Sequence, residues 1–151
     1  MPLAEAGFQT ADGRSDSTTL IRLGPTIPAF IGHHPSGDLV SLLTEQVSAL
    51  VDTGAEQSCI DKSIATKLGL PVVDVQMVAG ANGAVEQPVY MANLQFPSLN
   101  FTEYGRFIGV DLLAGGQVHG ALLGRSFLRN VIMIYDGIRG QVITLASPLI
   151  P

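Results

Sequence analysis

Cysteine is almost missing from this chain: Cys59 is the only one in 151 residues. One thiol cannot close an internal disulfide, so nothing here demands an oxidising compartment. Positive charge is also scarce. Eight Lys and Arg stand against thirteen Asp and Glu, for a formal net charge of −5, and no basic patch forms. Nucleic acid and anionic membrane surfaces are therefore not expected partners. No run of about 18 apolar residues occurs, so no transmembrane helix is expected. The beginning of the chain carries Glu5, Asp12, Arg14 and Asp16 among small polar residues and lacks the apolar stretch of a secretory signal, so a cytoplasmic location is the expectation. There is no G-x-S-x-G, no P-loop and no G-x-G-x-x-G strand–helix unit, which leaves those chemistries without support. His33, His34 and His119 lack ligand spacing and no Cys or Glu cluster joins them, so neither a metal nor a cofactor is expected.

What the chain does have is apolar residues, 46% of the total, and 17 glycines. Short apolar runs broken by Gly, Pro and His suggest many short strands in one domain. Residues 1–17 read as a flexible N-terminal arm and 18–151 as the domain. Strand-like runs fall at Thr19–Leu23, Ile27–Ile31, Leu39–Leu43 and Glu45–Val51, with the turn-like Gly32–Gly37 between the second and third. The clearest helix is Asp61–Leu70. Asp61 is suited to cap it, Ile64, Ala65 and Leu68 share one face, and Gly69 with Pro71 ends it. Val73–Tyr90 reads as a hairpin around Asn82-Gly83, a pair that tolerates positive φ. Further strands are expected at Phe96–Phe101, Arg106–Leu113 and His119–Leu123. A short helix follows near Ser126–Asn130, and a last hairpin turns at Asp136-Gly137. Fold class is all-β, barrel or sandwich, with one clear helix and one short one.

The segment Ala49–Ser58, "ALVDTGAEQS", carries the chemistry. An apolar strand runs straight into Asp52-Thr53-Gly54-Ala55, which places a carboxylate where a buried strand opens into a loop. Such a group is partly desolvated yet reachable. Gly54 permits a sharp turn and close approach of another chain, and Thr53 can offer its hydroxyl to nearby backbone. Taken alone, Asp-Thr-Gly also suits an ordinary turn after a strand. Cys59 precedes an apolar helix without a His–Asn relay, so core packing suits it better than nucleophilic work.

Three segments in one order resemble the retropepsin-like aspartic protease family: Val51–Ala55 ("VDTGA"), the flap-like hairpin with Gly80 and Gly83 near its tip, and Ala121–Leu128 ("ALLGRSFL"). The resemblance spans about Val40 to Leu145 and is nearer the non-viral members through its helix "IDKSIATKLGL". It implies a retropepsin-like acid protease barrel and an aspartic endopeptidase acting on a peptide or protein substrate. Asp52, Thr53 and Gly54 would form the catalytic motif, with Thr53 bonding across a dimer axis. Ala55 and Glu56 would edge the substrate on one side, and Ala79, Gly80, Ala81, Asn82, Gly83 and Ala84 would cover the other. Gly124 and Arg125 would support the site, with an expected Glu56–Arg125 ion pair. Ser126 stands where some members have Asp, which leaves its bond open.

Peptide hydrolysis of this kind needs two carboxyls sharing one proton, and the chain has a single D-[ST]-G. The resemblance therefore implies a homodimer that pairs two copies of Asp52. Terminal strands would interleave at its interface, either Ile132–Leu145 or the strand near Ile27. A catalytically silent dimeric peptide-binding or scaffold module with the same fold is the competing reading.

Overall fold

The computed structural model describes residues 3–5, 16–33 and 43–146. Its elements in chain order are β1 (Leu3–Glu5), α1 (Ser17–Leu23), β2 (Thr26–Gly32), β3 (Thr44–Val51), β4 (Cys59–Asp61), α2 (Lys62–Leu68), β5 (Val72–Gly80), β6 (Gly83–Phe96), a 3-10 turn (Pro97–Leu99), β7 (Phe101–Val110), β8 (Ala121–Leu123), α3 (Arg125–Leu128), β9 (Val131–Asp136) and β10 (Gln141–Ala146). Strands dominate, so the expected all-β class holds.

Six strands close into a ring in the order β2-β3-β8-β4-β7-β6, and β6 pairs back onto β2. Two pairings, β3 with β8 and β4 with β7, are parallel. Closure leaves no free edge around the ring, the general answer to the exposed-edge problem. Side chains alternate along each strand, so every second residue points inward. In β3, Ala49 and Val51 are buried while Leu50 between them is half-buried. Ile27, Ile31, Leu94, Phe107 and Leu123 fill the interior. At one end Phe127 of α3 packs on Phe96 and Phe101, with ring centroids 5.0 and 6.1 Å away.

β6 is long enough to serve two purposes. Its second half belongs to the ring, and its first half pairs with β5 as a projecting hairpin. A separate three-stranded sheet, β1-β10-β9, is formed by the chain's first and last described strands.

Helix α2 forms as its sequence predicts. Asp61 caps it, Gly69 closes it in the left-handed conformation, and Ile64, Ala65 and Leu68 are buried. Three expectations need correcting. Thr19–Leu23 belongs to a helix, α1, not a strand. Asp16 accepts from the Thr18 and Thr19 N–H groups at 3.2 and 3.1 Å, Gly24 ends the helix at φ +75°, and Leu20 enters the core. Phe96–Phe101 is no single strand, because Pro97 opens a 3-10 turn and Asn100, at φ +48°, reverses the chain into β7. The β5–β6 turn is made by Ala81 and Asn82, and only Gly83 has positive φ, +103°. That pattern fits an ordinary two-residue turn followed by a glycine, not a turn with both residues left-handed. Most of the expected Gly32–Gly37 turn and of the Leu39–Leu43 strand lies outside the described residues.

Candidate active site

The apolar alternation of β3 carries the chain through the core and delivers Asp52 at its end. Asp52 N–H donates to Leu123 O at 2.9 Å, continuing the parallel β3–β8 ladder by one step. Leu50 and Asp52 share the side of the strand opposite Ala49 and Val51. The Asp52 side chain is half-buried, and its Oδ1 accepts the Gly54 N–H at 2.9 Å. A Cβ on Gly54 would sit 3.1 Å from that same oxygen, so glycine keeps the carboxylate uncrowded.

The loop after Asp52 rests on the start of α3. Arg125 N–H donates to Ala55 O at 2.9 Å and Ser126 N–H to Glu56 O at 3.0 Å. The Arg125 guanidinium donates to Thr53 O at 3.0 Å. Ser58 N–H donates to Ser126 Oγ at 3.2 Å, and Gly124 N–H to Ser58 Oγ at 3.2 Å. The fit is close: a Cβ on Gly124 would lie 2.7 Å from the backbone of Gln57 and 3.0 Å from Ala55 O. These contacts correct one expectation and fill one gap. Arg125 braces the loop through the Thr53 carbonyl, and among the described residues no ion pair joins it to Glu56, whose side chain is exposed; the guanidinium is taken up by backbone instead. Ser126 accepts the Ser58 amide, the bond its sequence position left open.

Two clefts flank this point. One, of ≈ 390 Å³, lies between the loop and the β5–β6 hairpin and is bounded by Gly54, Ala55, Glu56, Met77, Ala79 and Leu122, among others. The other, of ≈ 470 Å³, is walled by Gly115–His119 together with Leu50, Leu23 and Arg22. Leu50 and Leu122 are register partners across β3 and β8, so the clefts meet at neighbouring side chains beside Asp52. Of the residues expected to hold substrate, Ala55, Glu56 and Ala79 border the first cleft. Gly80, Ala81, Asn82, Gly83 and Ala84 form the exposed hairpin tip beyond it. Sequence reading missed Met77, Val78, Ile108, Val110 and Leu122. The available signal for Met77 and Val78 was their place on the same strand, within three residues of Gly80.

Cys59 is 8% exposed and borders the first cleft. Burial, aided by the nearby Asp52 charge, pushes its thiol up to about 11, so it stays neutral. Among the described residues no three His, Cys, Asp or Glu side chains gather as a metal site, and no helix is long and apolar enough to cross a membrane.

A closed six-stranded ring with one Asp-Thr-Gly at the end of an interior strand defines the retropepsin-like acid protease barrel. The chain belongs to the family described as gag-polyprotein putative aspartyl protease, whose model matches residues 40–130. Among solved structures it is similar to EIAV protease complexed with the inhibitor HBY-793, at 19% identity over 70% of this chain and 85% of that one, with a TM-score of 0.49. It is similar too to a retropepsin-like aspartic protease from Rickettsia conorii, at 19% identity over 96% of this chain and 93% of that one, with a TM-score of 0.49. No curated protein matches the sequence.

Proposed function

We propose that this chain is an aspartic endopeptidase that works as a homodimer, with Asp52 of each copy meeting at a twofold axis. The observation that supports the reading is an Asp-Thr-Gly, inside the family-matched residues 40–130, whose half-buried Asp52 lies two residues from Leu50 of one cleft and two from Gly54 of the other. The nearest acidic alternatives have other work. Asp61 is buried under five donors, Asp111 pairs with Lys62 at 2.8 Å, and Asp136 accepts the Ile138 and Arg139 N–H groups of its own turn. The second carboxyl therefore comes from a second copy.

In the pair one carboxylate is ionised and takes a proton from water. The other is protonated and donates to the scissile carbonyl, polarising it for attack. Two carboxyls so close share one proton because both cannot ionise cheaply. Thr53 bonds across the axis beneath them, and Gly124 and Arg125 hold the loop. The substrate lies extended between Ala55–Glu56 and the hairpin. Ala79 and the tip residues Gly80–Ala84 close over it, and alternate side chains enter the clefts. No cofactor takes part.

The exposed Ile132, Ile134 and Tyr135 of β9 support an interface at the terminal hairpin. The strand near Ile27 is a poorer choice, being part of the ring with Ile27 fully buried. Cytoplasmic residence completes the reading, while the expected loose arm over residues 1–17 is corrected at both ends: Leu3–Glu5 pairs with β10, and Asp16 and Ser17 begin α1.

A peptide-library digest with wild type and Asp52→Asn, run beside sedimentation of both, tests it. Cleavage that falls by roughly 10³-fold or more in the variant, with dimers in both samples, is the expected result. Full activity from a strict monomer would refute the pairing. Peptide binding without cleavage by either protein would point to a silent module.

A further inference from the structure

The buried carboxylate of Asp61 does more than cap a helix. The residue is 1% exposed. Its Oδ1 accepts from Ser63 N–H at 2.9 Å, from Ile64 N–H at 3.3 Å and from the Ser63 hydroxyl. Its Oδ2 is turned away from the helix and accepts from Leu112 N–H at 3.0 Å and Leu113 N–H at 2.9 Å. The backbone of the same residue donates its N–H to Gly120 O at 3.0 Å. Leu112 and Leu113 follow the end of β7, and Gly120 precedes the start of β8. Both ends of the connection between those strands are thus tied to one residue.

The tie reaches the second cleft in one further step. The carbonyl of Leu113 accepts from Gly116 N–H and that of Leu112 from Gln117 N–H, each at 3.0 Å. Gly116 and Gln117 wall the second cleft beside Leu50, two residues ahead of Asp52 on β3. A helix cap needs only Oδ1. The use of Oδ2 on a segment so distant in sequence is left unexplained by α2 alone.

We infer that Asp61 is a positioning residue for substrate, fastening residues 111–120 so that they form a fixed wall of the second cleft. The inference rests on the protease reading for its consequence, not for its geometry. Burial alone would raise the Asp61 carboxyl. The bonds from Ser63, Leu113, Ile64 and Leu112 outweigh it and hold the group below the usual carboxylate range. The charge that fastens the loop therefore persists to lower pH than an ordinary carboxylate would allow.

Asp61→Ser separates the two duties, since serine still caps a helix but is too short to reach Leu112 and Leu113. Asp61→Asn is read in the same way should the first variant fail to fold. Its amide presents donors where the site supplies only donors. Ser63→Ala is the control, for it weakens the helix side alone. Amide hydrogen exchange of the free protein and steady-state cleavage of a peptide selected with wild type are the readouts. In Asp61→Ser, exchange at Leu112, Leu113, Gly116 and Gln117 should quicken at least roughly tenfold. KM should rise by about tenfold while kcat stays within about threefold. Ser63→Ala should move neither. Unchanged loop exchange in Asp61→Ser overturns the inference. So does faster exchange with an unchanged KM, or an equal KM change in Ser63→Ala. If wild type cleaves no peptide, the protease reading fails separately, and loop exchange still decides whether Asp61 holds the segment.

Discussion

The loop after Asp52 and the tip of the β5–β6 hairpin border the same cleft but are built in opposite ways. The loop is fastened through Thr53, Ala55, Glu56 and Ser58 to the start of α3, by backbone and side chain together. The hairpin projects past the ring, and from Ala79 to Glu86 every residue is exposed and held by the hairpin's own ladder. On the proposed reading the two differ as they should, since a reacting group must be kept in place whereas a cover must open to admit a chain. A side-chain tie from the hairpin's base to the body is the exposed Asp74–Arg106 ion pair, which crosses β6 from β5 to β7. An exposed pair of this kind is worth little, so it does little to hold the tip.

Substitutions can break or sharpen this contrast. Gly124→Ala should have the largest effect, because its methyl meets backbone that cannot swing aside. A loss of about 3 kcal/mol by denaturant unfolding is expected, with activity falling alongside. Glu103→Gln examines a flaw in the ring itself, on β7, at a residue that lines neither cleft. Among the described residues Glu103 Oε2 is buried without a hydrogen-bond partner, and burial pushes its carboxyl up from 4.5 to about 7. Between those values the native chain holds a proton that the unfolded chain has released. Stability should therefore fall as pH rises through that window and level off above it. The Gln variant should match wild type near pH 4 and exceed it by about 2 kcal/mol at pH 8, read by thermal or urea unfolding at both values.

Arg125→Ala removes only the guanidinium bond to Thr53. A loss of about 1 kcal/mol is expected, and activity should fall more than stability suggests, since the bond lies one residue from Asp52. Gly83→Ala, at the other pole, should cost well under about 1 kcal/mol beyond its positive-φ strain, because a Cβ there meets nothing within 4 Å. Its effect should appear in the rate of peptide capture. A tip substitution that destabilised the fold as much as Gly124→Ala would erase the contrast.

Much of the site was legible because its signals are local. The apolar run ending at Asp52, the Asp61 and Gly69 caps and the paired halves of the hairpin each lie within a few residues. Helix α1 was hidden by Thr18, Thr19 and Ile21, β-branched residues that suit a strand. Asp16 and Gly24 were the caps that could have revealed it. The contributions of Ile108 and Leu122 to the cleft depend on β7 and β8 reaching β4 and β3. No sequence period reports such long-range register. The Arg125 bond was misassigned for a related reason: opposite charges invite pairing on paper, but the carbonyl of Thr53 is what the backbone turns toward the guanidinium.

The bond from the Asp52 amide to the Leu123 carbonyl has a bearing on synthesis. A growing chain that has not yet emerged as far as Leu123 has nothing on which to set that amide, however well its earlier segments have folded. Contacts so distant along the chain form late. Asp52 is thus not set in its final place until Leu123 has been made, a timing written into strand order alone.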